Sequence, residues 1–232
     1  MAKAKRLSAV LFLIVIGIGS VWAETPVTEI DPFVVVKAND ALSLRQWLAQ
    51  DGDPNLRVKG TATLLHIAVL SRSSDCVRVL LEHGAVVDAT PDFYGAPLRW
   101  VQDVTSASYL IAAGADVNAI DREGDSLLDL WVKLGKPQSE LVRLLIESGA
   151  NIEHRNARGE TPIHAAASFG SWEAFSLLLD KGADAHSVDC NGRTSLHSAA
   201  EGGNIKIAKK LINSGLDVNA TDEGGYTPLH IA

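Results

Sequence analysis

Four histidines first suggest chemistry. His164, His197 and His230 follow one another at 33-residue intervals, and His66 stands in the same local context earlier in the chain. An imidazole can bind a metal or pass a proton near neutral pH. Zinc requires ligand atoms about 2.0–2.1 Å from one centre. Histidines carried one each on successive packed helices stand about 10 Å apart, too far to share a metal. Structural hydrogen bonding is therefore the expected role of all four. His83, His154 and His186 show no metal-ligand spacing.

The two cysteines, Cys76 and Cys190, form an even set that invites a disulfide. About 30 Å of stacked helices would separate them, whereas a disulfide needs Cα atoms within about 7 Å. Cys76 reads as a small buried hydrophobe. Cys190 reads as an exposed thiol, either idle or used between molecules. There is no Gly-x-Ser-x-Gly elbow, no phosphate-binding glycine loop and no dinucleotide turn. Asp51-Gly52-Asp53 and Asp121-Arg122-Glu123-Gly124-Asp125 lack the ligand series of a calcium loop. We expect no catalytic residue, no cofactor and no metal.

The elements that position these histidines are legible in their flanks. Thr161-Pro162-Ile163-His164-Ala165-Ala166 returns as Thr194-Ser195-Leu196-His197-Ser198-Ala199 and as Thr227-Pro228-Leu229-His230-Ile231-Ala232. Thr161 suits a helix N-cap, where its hydroxyl accepts an orphan N–H. Pro162 suits the first helical position. His164 can bond Thr161 or a neighbouring loop, and Ala165-Ala166 lets the next helix come close. The motif and its 33-residue period resemble the ankyrin repeat.

That resemblance covers about residues 33–232. It implies an all-α solenoid of stacked helix–turn–helix repeats joined by β-hairpin loops, with about six repeats and a truncated seventh. Phe33 to Asp51 forms a degenerate first repeat with a turn at Asn39-Asp40. Thr63-Leu64-Leu65-His66 opens the second. Glycines recur where second helices end: Gly84, Gly114, Gly149, Gly182 and Gly215. In the third repeat Ala96-Pro97-Leu98-Arg99 replaces the motif, and three residues are missing from the helix pair or its turn. In the fourth, Ser126-Leu127-Leu128-Asp129 fills the slot, two residues are inserted near Leu134-Gly135-Lys136-Pro137, and Trp131 replaces a small residue. Such departures mark either a binding region or drift in tolerant turns. The seventh repeat stops soon after Thr227. Ile205, Ile207, Ala208, Leu211 and Ile212 then meet an incomplete neighbour: either the chain is truncated there, or its C-terminal face is covered by something else, such as another copy in a self-association.

The chain carries 28 acidic and 21 basic residues, a net charge of −7, and 47% hydrophobic residues. No Lys/Arg block is present, so nucleic acid and anionic membrane surfaces are poor partners. Lys3, Lys5 and Arg6 precede an apolar run from Leu7 to Ile18, and Val21 and Ala23 suit a cleavage site. This reads as a signal peptide over residues 1–23, cut after Ala23, followed by a lead-in over 24–32; the alternative is an uncleaved anchor. Loss of the leader's three cations would take the charge from −7 to −10. The expected location is periplasmic or secreted, with no membrane insertion after leader removal.

By the resemblance, the chain binds a protein partner through hairpin tips and the concave face of the first helices. The implied tip residues are Phe93, Tyr94, Arg122, Arg158, Arg193 and Tyr226, with Glu123 and Asn191 beside them. The implied first-helix residues are Leu70, Trp100, Asp103, Lys133 and Phe169. Exposed aromatics and arginines suit interface hot spots. Phe169 and Trp172 could instead fill core gaps at a turn. The expected function is a non-catalytic interaction scaffold, acting as inhibitor, protector or assembly factor. A self-associating envelope structural element is the alternative.

Overall fold

The computed structural model describes residues 30–58, 62–90, 95–134 and 139–232. The leader, its cleavage point, most of the lead-in and the inserted loop at 135–138 lie outside the described residues. Two rows of short helices run through the body that starts at Asp31. The first helices of the repeats are α1 (Pro32–Lys37), α3 (Leu64–Leu70), a single 3-10 turn (Pro97–Trp100), α6 (Leu127–Leu134), α8 (Pro162–Phe169), α10 (Ser195–Glu201) and α12 (Pro228–Ile231). The second helices are α2 (Ala41–Leu48), α4 (Ser74–Glu82), α5 (Val104–Ala112), α7 (Ser139–Glu147), α9 (Trp172–Asp180) and α11 (Ile205–Asn213). Each helix packs on its counterpart in the next repeat. The exception is the 3-10 turn, which packs on α3 and α5 but, among the described residues, has little contact with α6.

Short helices of this kind are unstable alone and persist because neighbours bury their apolar faces. The resulting core is one line of small and branched residues, from Val36 and Leu44 through Leu80, Leu110 and Leu145 to Leu178 and Leu211. From the second repeat onward, second helices end in a left-handed glycine, as at Gly182 with φ +92°, whose successor Ala183 donates its N–H to the Leu178 carbonyl at 2.9 Å. The first-repeat turn places Asn39 at φ +54°. Cys76 is buried and Cys190 exposed, and both are free. Burial, then Asp40 and Asp75, pushes the Cys76 thiol up to about 11, so it is an inert packing group.

The loops are hairpins of minimal pairing. Strand β1 (Arg57–Val58) pairs antiparallel with β2 (Ala62–Thr63). Single bridges join Ile120 to Ser126 and Val188 to Thr194. At the C-terminal end Ile207 and Leu211 are buried, whereas Ile205, Ile212 and Leu229 are exposed.

Thr161 caps α8 as expected, in a capping box with His164, whose Nδ1 lies 2.9 Å from the Thr161 hydroxyl; the His164 N–H also meets the Thr161 carbonyl at 2.9 Å. The three residues missing from the third repeat all come from its first helix, which is reduced to the 3-10 turn.

Candidate binding groove and repeat junctions

The histidines hold the repeats together. In His66, His164 and His197 the Nδ1 atom faces the preceding threonine, whose N–H and Oγ1 both lie within bonding distance. The Nε2 atoms face carbonyls of the next hairpin: Gly95 at 2.9 Å, Arg193 at 3.3 Å and Tyr226 at 3.1 Å. A carbonyl only accepts, so Nε2 carries the proton and Nδ1 is the acceptor. Burial pushes the His66 and His164 imidazoles below their ordinary range, which maintains this neutral tautomer.

A second periodic device was not read from the sequence. Asp121, Asn156, Asp189 and Asp222 each begin a hairpin tip and accept two backbone N–H bonds. For Asp121 these come from Glu123 at 3.0 Å and Asp125 at 2.8 Å; for Asn156, from Arg158 at 2.9 Å and Glu160 at 3.1 Å. Asp189 and Asp222 do the same. The signal was available as Asp/Asn-x-x-Gly-x-Ser/Thr at all four places. Successive tips are stitched by Cys190 N–H to the Arg158 carbonyl at 2.9 Å and Glu223 N–H to the Asn191 carbonyl at 2.8 Å.

Repeats three and four are joined differently. Arg99 occupies the histidine slot, and its Nη2 donates to Asp121 Oδ2 at 2.9 Å. Asp129 occupies the next slot, where its Oδ2 accepts from Ser126 N at 2.9 Å and Ser126 Oγ at 2.6 Å. Burial pushes the Asp129 carboxyl above the usual carboxylate range, against those two bonds. Lys133 pairs with Asp125, whose other oxygen accepts from Asn156 Nδ2 at 2.8 Å. Burial works to raise the Asp125 pKa, but the Lys133 and Asn156 bonds outweigh it and leave it lowered.

Because one 3-10 turn stands where a helix would, a groove of about 580 Å³ opens beside it. Leu98, Arg99 and Trp100 form one wall; Ile120, Asp121 and Arg122 form the other. Trp100 is 36% exposed and Ile120 62% exposed. Apolar walls with a few convergent charges suit recognition of another molecule.

Of the residues expected to bind a partner, Trp100 and Arg122 meet at this groove. Phe93 and Tyr94 lie outside the described residues. Asp103 is not on a first helix: it is the N-cap of α5, where its carboxylate accepts the Ser106 N–H at 2.7 Å. Lys133 is on α6 as expected, but it is largely covered and committed to Asp125. Arg158 and Arg193 are hairpin residues paired with Glu160 at 2.8 Å and Glu201 at 3.3 Å. Leu70 ends α3. Phe169 at 58% and Tyr226 at 57% are exposed on repeats five and seven, so Phe169 does not fill the core. Trp172 is half-buried with Lys206 Nζ 3.8 Å above its ring. Ile120 and Arg99 were missed as groove residues, because only the collapse of the preceding helix brings them to a common wall.

Comparison with known proteins agrees with this architecture. The family model described as ankyrin repeats (3 copies) matches residues 99–189 and 172–232, and the single ankyrin repeat model matches 62–91. The chain belongs to the ankyrin repeat family. It is 30% identical over 144 residues to an ankyrin repeat protein of Fowlpox virus (strain NVSL), a match that covers 61% of this chain and 19% of the viral one. It is 34% identical over 126 residues to the B-cell lymphoma 3 protein homolog of Mus musculus, covering 52% and 28% respectively. The chain thus spans less than a third of the length of these relatives. The crystal structure of the ankyrin repeat domain of Bcl-3 is similar in fold, with a TM-score of 0.76, 24% identity, and coverage of 88% of this chain and 94% of that one. Proteins of this family generally mediate protein–protein interaction.

Proposed function

We propose that this chain is an exported, non-catalytic scaffold that holds a partner protein in the groove between its third and fourth repeats. The observation that carries the reading is the gap left by the 3-10 turn, with Trp100 and Ile120 facing it. Elsewhere the first helices close on one another; here an apolar surface flanked by Arg99 and Arg122 is open. A large aromatic beside arginines is the composition that concentrates binding energy. The leader-like N-terminus supports an exported setting, periplasmic or secreted, in which the partner acts as the client of an inhibitor, protector or assembly factor.

The test is affinity capture with the mature chain from its own compartment, comparing the unchanged protein with Trp100→Ala and Arg122→Ala. Captured partners should be lost from both variants while both remain folded by circular dichroism. Retention of every partner by both variants would overturn the groove assignment. N-terminal sequencing of the chain from its native host should begin at Glu24; a chain retaining Met1 would refute cleavage after Ala23.

A further inference from the structure

We propose that repeats three and four form a seam at which the array opens before it unfolds, dividing it into two separately cooperative blocks. In a solenoid, stability is a sum of repeat terms and nearest-neighbour interfaces, so one weak interface in the interior uncouples the two sides. Four independent observations place that interface here.

The row of first helices is interrupted. The 3-10 turn packs on α3 and α5, while α6 packs on α7 and α8, so α5 carries the continuous packing across the break through its contacts with α4 and α7. The histidine clips are interrupted at the same place. His66, His164 and His197 tie their repeats to the next hairpin, whereas Arg99 and Asp129 replace the histidine in repeats three and four. Arg99 substitutes an ion pair with Asp121. Asp129, an acceptor when ionised, cannot donate to a carbonyl. The backbone stitch between tips also lapses: Cys190 N–H and Glu223 N–H make it at the two later junctions, and among the described residues no such bond joins tip 121–124 to tip 156–159. That junction relies instead on His154 Nε2 to the Gly124 carbonyl at 2.7 Å and Asn156 to Asp125.

Finally, buried polar atoms without a partner collect here. Among the described residues these are Asp103 Oδ2, Ser106 Oγ and Trp131 Nε1 in repeats three and four, with Ser73 Oγ the remaining one in repeat two. Each such atom costs free energy that water repays when the structure opens. The seam therefore combines a lapse in first-helix packing with unpartnered polar atoms inside an otherwise apolar core. The inference stands on interface geometry and does not depend on what the groove holds.

Amide hydrogen exchange of the full chain, read by mass spectrometry, tests it. Segment 104–134 should exchange about tenfold faster than both 64–82 and 162–180, giving an interior minimum of protection. Fraying from the ends alone would give protection that falls smoothly towards each terminus, and that result would overturn the proposal. Asp121→Asn provides the second arm. Asn156 shows that an asparagine supports the same hairpin tip, so the variant keeps the turn and weakens only the bond to Arg99. Exchange should then rise about three- to tenfold within 104–134 and stay unchanged in 162–213. An equal rise throughout would show one cooperative unit and refute the seam.

Discussion

Repeats five and six and repeats three and four use one backbone plan with different joints. In the regular pair, a neutral histidine reaches from each helix start to the next hairpin, a threonine completes the cap, and small residues allow close stacking. Every buried polar side-chain atom described in that pair has a partner. In the irregular pair an arginine and an aspartate take the histidine's place, a tryptophan takes an alanine's, and a helix shrinks to one turn. The regular repeats show what the fold requires of a sequence. The irregular ones show what remains when those requirements are relaxed: a groove, ion pairs and orphaned polar groups.

The largest break in this comparison should come from the regular core. Phe175 is fully buried, and Phe175→Ala should cost about 3–5 kcal/mol in urea denaturation. A loss under about 1 kcal/mol would mean that the regular pair is not tightly packed. Next is the hairpin stitch. Gly159 has φ +74°, and a Cβ there would lie 2.7 Å from Cys190 Sγ and 2.8 Å from Cys190 N. Gly159→Ala should cost about 2–3 kcal/mol, more than Gly114→Ala at about 1 kcal/mol, because a Cβ at Gly114 meets nothing within 4 Å. Equal losses would show that strain alone, not the tip contact, sets the cost.

The two kinds of joint should also respond oppositely to pH. Burial lowers the His66 and His164 pKa values, so the unfolded chain binds more protons than the folded one once pH falls below about 6.5. Their contribution is complete above that value and is lost on acidification. Burial raises the Asp129 pKa, so its contribution is complete below about 3.8 and is lost as pH rises through the folded value. Asp129→Asn should therefore stabilise the chain at pH 7, by about 1 kcal/mol, and the gain should vanish under strong acid. Thermal denaturation across pH 3–8 reads both effects, and a gain that grew on acidification would contradict the assignment. The smallest stability change belongs to the groove: Trp100 keeps about a third of its surface exposed, and Trp100→Ala should cost about 1 kcal/mol or less while abolishing capture of the partner.

Most of the regular architecture was legible because it depends on local chemistry repeated at a fixed interval. The Thr-x-x-His motif marks each helix start, the recurrent glycine marks each second-helix end, and both appear where expected. The short third repeat and the long fourth were countable from residue spacing alone. What spacing could not show was which helix would absorb the deletion. Nor did it show that Asp103 would cap α5 or that Lys133 would be spent on Asp125. Those outcomes depend on which neighbours the remaining residues can reach.

By itself, the sequence determined the repeat, its period, the histidine's structural role and the burial of Cys76, because each follows from local bonding and packing within a known unit. Only the tertiary structure decided that Arg99, Trp100, Ile120 and Arg122 would border one groove and that the histidine clips would lapse at adjacent junctions. An interface between repeats is a property of two surfaces together, and residues more than 20 positions apart meet there only after the chain has stacked.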